Sequence, residues 1–129
     1  MKLLMNKWLI HKFSSGPTTG TDFKEFSRDF RRCIKGQLKE VSDSTGRMLS
    51  LVSFSVGHYC LSGFVLDVQA ARYAYFSISD VRYRNNEWFD AVLIRNARDN
   101  RDFTGGMNQR TMLVDFGQSV ADLLERRWV

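Results

Sequence analysis

Residues 47–67, RMLSLVSFSVGHYCLSGFVLD, decide the fold, because within them the apolar period changes from that of a helix to that of a strand. Val52, Phe54 and Val56 alternate with Ser53 and Ser55, which makes one face of an extended segment apolar and the other polar. Val56-Gly57 predicts a tight hairpin into a second strand, His58 to Asp67. Tyr73 to Tyr83 reads as a third strand, rich in Tyr, Phe, Ile and Val. Trp88 to Ala97 reads as a fourth, and Asn85-Asn86 turns between them because Asn tolerates positive φ. Four consecutive strands on short turns predict an antiparallel meander.

Upstream of this tract the pattern is helical. Phe23, Phe26, Phe30, Ile34 and Leu38 recur at spacings of three and four, an apolar stripe that predicts a helix from Asp22 to about Leu38. Thr21 is the expected N-cap, after the loop Ser14 to Thr21 (SSGPTTGT), and residues 1–20 read as an N-terminal arm and loop, with Met1 to Phe13 a short strand or an ordered arm whose Trp8, Ile10 and Phe13 are expected to anchor on the core. Val41 to Gly46 is polar, and Ser44-Thr45-Gly46 within it reads as a turn. Downstream of the strands, Arg98 to Arg110 (RDNRDFTGGMNQR) reads as a long polar loop, and Thr111 as the cap of a second helix ending near Arg127. Leu113, Phe116, Val120, Leu123 and Leu124 give that helix its apolar face. The expected architecture is one α+β domain over residues 1–129: helix, four-stranded meander, helix, with both helices on one sheet face.

Composition removes several classes. The chain has 129 residues, 43% hydrophobic and 26% charged, with one Pro and nine Gly, close to the globular average and far from disordered or collagen-like sequences. Two cysteines, Cys33 and Cys60, are too few for a disulfide framework, and with His11 and His58 they match no zinc spacing. Lys7 interrupts the apolar start MKLLMNKWLIHKF before a secretory core of roughly 7–15 residues accumulates, and no stretch reaches the about 20 needed to span a bilayer. A cytoplasmic protein without metal, cofactor or membrane contact is expected.

Two catalytic readings remain open. His58 and Cys60 lie two apart on an expected strand and project from the same face, but a catalytic thiolate also needs a base within reach and a group to orient it. Alternatively, His58, Cys60, Phe64 and Leu66 simply form one side of that strand. Asp80, Asp90, Asp99 and Asp102 offer carboxylates for acid–base work, yet Arg82, Arg84, Arg95, Arg98 and Arg101 are interleaved with them, as on a charge-paired surface. Thr104-Gly105-Gly106 matches neither phosphate-loop fingerprint, although two glycines near Arg101 and Arg110 can form a backbone anion nest.

Binding is the class that the charge layout favours. The net charge is +5, from 19 Lys and Arg against 14 Asp and Glu. Through Lys39 there are nine basic residues against Asp22, Glu25 and Asp29, so 9 − 3 = +6, and the remainder sums to −1. At 100° per residue, Lys24, Arg28, Arg31, Arg32, Lys35 and Lys39 fall on one arc of roughly 100°. Lys24, Arg28, Arg31, Arg32 and Lys35 are the first candidate surface for a nucleic-acid or protein partner, and Arg82, Arg84, Arg95, Arg98 and Arg101 the second. Tyr59, Tyr73, Tyr75 and Tyr83 would stack bases if an open sheet face carries them. An exposed sheet edge would also permit a homodimer.

Tyr75 to Val81 (YFSISDV) and Leu93 to Gly106 (LIRNARDNRDFTGG) resemble small accessory proteins carried by conjugative and integrative elements of bacteria. Similar features are Lys7 to Phe13 (KWLIHKF), the F-x-x-F-x-R-D-F-R helix at Phe23 to Arg31 and the hairpin tract around Gly57 to Phe64. The likeness spans nearly the whole chain and brings no catalytic residues with it. It implies a mobile-element setting that includes DNA-acting proteins and inhibitors of host defence. Anti-CRISPR and anti-restriction proteins of that kind are commonly small and cofactor-free, and DNA mimics among them are acidic where this chain is basic.

Overall fold

A computed structural model describes residues 20–57, 60–78 and 91–125. The first helix, α1, spans Gly20–Thr45, 26 residues, and so continues past the end expected near Leu38, through the polar run and into the turn expected at Ser44 to Gly46. Local hydrogen bonding explains the extension. Ser42 donates to the Leu38 carbonyl (2.7 Å), Ser44 and Thr45 donate to the Val41 carbonyl (3.2 and 2.7 Å), and Val41 packs against the core. Hydroxyls that favour a turn thus fold back on the helix they follow. The helix ends at Gly46, which adopts φ +73° and donates its N–H to the Ser42 carbonyl at 2.9 Å, a left-handed closure suited to glycine.

Five strands follow in place of the four expected: β1 Leu49–Val56, β2 Leu61–Asp67, β3 Arg72–Ile78, β4 Ala91–Ala97 and β5 Gln109–Met112. They form one antiparallel meander in the order β1-β2-β3-β4-β5. The fifth strand lies where a loop and a helix cap were expected. Thr111 pairs opposite Val92, and its hydroxyl sits 2.7 Å from that of Ser119 rather than capping a helix. Four residues, QRTM, are too few to show a period. The first hairpin is also wider than Val56-Gly57 alone: Val56 pairs with Leu61, and the Gly57 N–H donates to the Cys60 carbonyl at 2.9 Å. The second strand accordingly starts at Leu61, not His58. The Asn85-Asn86 turn, the outer ends of the third and fourth expected strands, and Trp8, Ile10 and Phe13 lie outside the described residues.

A 3-10 turn, Leu113–Asp115, leads into α2, Phe116–Glu125. Both helices bury their stripes on the same sheet face. Phe26, Phe30 and Ile34 of α1 join Leu61, Val65, Phe76 and Ile94 of the sheet and Phe116, Val120 and Leu124 of α2 in one core. Phe76 is central, with ring centroids 6.2 Å from Phe30, 6.4 Å from Phe54 and 5.3 Å, edge-on, from Phe116. Polar contacts tie α2 down at both ends. The buried Gln37 amide donates to the Leu113 carbonyl (2.5 Å) and accepts from the Gly117 N–H (2.8 Å). Arg47 and Arg72 donate to the Ala121 and Leu124 carbonyls (both 2.8 Å), where a helix C-terminus attracts cations. Arg47 is also held by the buried Asp67 at 2.7 Å. Among the described residues no helix is long and apolar enough to cross a membrane.

Candidate functional site

On α1 the apolar stripe faces the sheet, and this leaves the basic residues outward. Lys24, Arg28, Arg31, Arg32, Lys35 and Lys39 are all exposed. Their charges are not equally available. Arg32 is bound to Asp29 through Nε (3.0 Å) and Nη2 (2.7 Å), and Lys39 pairs with Asp43 at 3.2 Å. Because α1 continues to Thr45, it gains Glu40 and Asp43, so the whole helix holds six basic and five acidic residues, a net of +1. What distinguishes it is arrangement rather than excess. Lys24, Arg28, Arg31 and Lys35 form a ridge of about 16 Å along the axis and make no ion pair among the described residues.

Arg31 is the member of the ridge with a fixed platform. Its guanidinium lies 5.6 Å from the centroid of Phe54, a half-buried β1 residue. This contact places the ridge beside β1, one of the two edge strands among the described residues. Between them runs a groove of about 340 Å³, with Lys35 and Lys39 on the helix side and Met48, Ser50 and Leu51 on the strand side.

Of the second expected cluster, Arg95, Arg98 and Arg101 are described. Arg82 and Arg84 lie outside the described residues. Arg95 is half-buried, stacks 4.2 Å from the Tyr75 centroid, and donates to the Phe103 carbonyl and to Asn108 Oδ1 (3.2 Å). Arg98 donates its backbone N–H (2.9 Å) and Nε (3.2 Å) to Asp102 Oδ2. Arg95 and Arg98 fasten the loop after β4, while the Arg98 side chain, 75% accessible, and the exposed Arg101 remain open to solvent.

The carboxylates tell the same story. Asp102 also accepts from the Thr104 N–H (3.1 Å) and hydroxyl (3.2 Å), and these bonds, led by that from the Arg98 N–H, pull its carboxyl down to about 2. Asp99 accepts from the Arg101 N–H at 2.8 Å. Both are turn-forming groups in this loop, while Asp80 and Asp90 lie outside the described residues.

The glycine pair does not form an open nest. The Gly106 N–H donates to the Asn96 carbonyl at 2.8 Å, and a Cβ on Gly105 would lie 2.1 Å from that oxygen, so both glycines press against β4. Cys60 is a half-buried free thiol whose expected partner His58, like Tyr59 and Tyr83, lies outside the described residues. Cys33 is buried in the core, and burial pushes its thiol up.

The sheet face away from the helices carries Phe64, Leu66, Tyr73 and Tyr75 in cross-strand register. Tyr75 already packs on Phe64 (5.3 Å), Phe103 (5.8 Å) and Arg95, so its ring is not an open stacking surface. Sequence reading missed that cluster because Phe103 reaches it from a loop, with no periodicity to mark it. It also missed the Arg31–Phe54 stack, which joins residues 23 positions apart.

The chain matches no family model, no curated protein and no solved structure.

Proposed function

We propose that this is a non-enzymatic binding protein of a mobile genetic element, and that α1 docks on nucleic acid, free or held in a host complex such as a CRISPR or restriction enzyme. The observation that carries the reading is the ridge Lys24–Arg28–Arg31–Lys35, four exposed cations without an intramolecular carboxylate among the described residues. Acids three or four residues away can neutralise basic residues on a helix, as Asp29 and Asp43 do for Arg32 and Lys39 here; Arg28 has Glu25 at that spacing but forms no ion pair with it among the described residues. Phosphate oxygens supply the missing counter-charge, and contact with them releases condensed cations and strengthens binding at low salt.

The resemblance to mobile-element accessory proteins supports the setting. An inhibitor built this way covers the nucleic acid or its channel with a positive helix instead of imitating it with negative charge.

The test is the triple variant Lys24→Glu, Arg28→Glu, Lys35→Glu, which spares the Arg31–Phe54 contact. Fluorescence anisotropy with a labelled oligonucleotide should show affinity reduced at least tenfold, while far-UV circular dichroism and Tm stay at the parent values. Equal affinity in the folded variant would reject the ridge as the interface.

A further inference from the structure

β1 is unusual for an edge strand. Its eight residues, LSLVSFSV, include no charge and no proline, the two devices that most often keep a sheet edge from pairing. Its one protection is a bulge: Leu51 pairs with Val65 and Ser53 with Phe64, leaving Val52 as the extra residue. Val52 and Val56 are 40% and 56% exposed, and neighbouring Met48 is 56% exposed. No described strand pairs with its outer edge.

The helix beside that edge runs antiparallel to it. Arg31 lies over Phe54, Lys35 and Lys39 face Met48 to Leu51 across the groove, and Ser42 Oγ accepts the Leu49 N–H at 3.1 Å. Arg31 and Lys35, followed by Lys39 with its Asp43 partner, therefore overhang the edge as a ladder spaced four helical residues, about 6 Å, per rung. Alternate residues of an extended chain are separated by about 6.8 Å. The two repeats nearly match.

We propose that the outer edge of β1 receives an extended segment of a partner protein as a sixth strand, with acidic side chains at alternate positions facing Arg31 and Lys35. Backbone hydrogen bonds to β1 hold the segment, and the ladder selects its charge pattern. A second copy of this chain fits poorly. Antiparallel β1–β1 pairing would place both α1 helices on the same sheet face across the two-fold axis, with their cationic ladders opposed. This site goes beyond the nucleic-acid reading, with whose ridge it shares Arg31 and Lys35: a partner strand here would dock the protein on the protein component of a complex.

The test uses the full chain and three labelled ten-residue peptides: one alternating Glu with Val and Thr, one of equal composition with its Glu residues grouped together, and one alternating but N-methylated at every second residue. The alternating peptide should bind and slow amide exchange across Leu49–Val56. The grouped and N-methylated peptides should bind at least tenfold more weakly, and Arg31→Glu with Lys35→Glu should abolish binding of the first. Equal affinity for all three peptides would overturn the proposal, because attraction alone would then explain binding. So would β1 protection that rises with protein concentration without peptide, which would assign the edge to a second copy, or stronger β1 protection by an oligonucleotide than by the peptide. Lys24→Glu with Arg28→Glu, which removes the two ridge cations outside the ladder, should leave peptide binding intact, so failure of the nucleic-acid reading is scored separately.

Discussion

At the scale of single residues, most of the organising contacts are polar groups given specific partners. Burial works against ionisation of Asp67, but the Arg47 guanidinium and the Ala70 N–H bond it and hold its carboxyl below the ordinary range. Asp102 is lowered to about 2 by the loop N–H groups it accepts. A carboxyl whose folded pKa is depressed stabilises the fold above its unfolded value, about 3.9, and that contribution disappears as pH falls through the folded value. Urea midpoints should therefore be steady from pH 7 to 5 and fall between about pH 4 and 2. Asp67→Asn with Asp102→Asn should lower the neutral midpoint and flatten the acid limb. Gln37→Met should cost about 1–3 kcal/mol for each backbone group left buried and unpaired, at Leu113 and Gly117, measured by urea unfolding. Phe76→Ala should cost about 3–5 kcal/mol in the same assay, because three aromatic rings lose their shared neighbour.

At the scale of elements, a glycine shows how tightly the loop after β4 is seated. Gly105→Ala would set a Cβ against the Asn96 carbonyl, so the loop must lift, and the Phe103 ring should lose its contacts with Phe64 and Tyr75. The aromatic proton shifts of those rings report this directly; unchanged shifts would contradict the packing. The helix stripe and β1 were legible because their apolar residues repeat at a fixed spacing, and the next three strands because their Tyr-, Phe-, Ile- and Val-rich runs are set off by turn residues. Phe23, Phe26, Phe30, Ile34 and Leu38 are all buried as the stripe requires. Legibility failed where tertiary partners decide. β5 exists because β4 offers it an edge, and the end of α1 because serines and a threonine bond back onto its carbonyls. In the basic surface, residue types and their arc could be read from spacing. Which cations were already neutralised could not, since Arg32–Asp29 and an unpaired Arg28 look alike in a charge pattern.

At the scale of the whole molecule, the two layers divide the work. Helices cover one sheet face and close the core, which leaves α1 with one flank against α2 and the other over the β1 edge. The net charge of +5 would suit many proteins. Concentrating unpaired cations along one ridge gives that charge a direction, and salt dependence is the most direct way to see it. For binding of the parent protein to a duplex oligonucleotide, the logarithm of affinity should fall linearly with the logarithm of salt concentration. Four phosphate contacts give a slope of about −3.6, and removing Lys24, Arg28 and Lys35 should bring it to about −0.9. A slope that stays the same in the folded triple variant would contradict the assignment of α1 as the polyanion-binding surface.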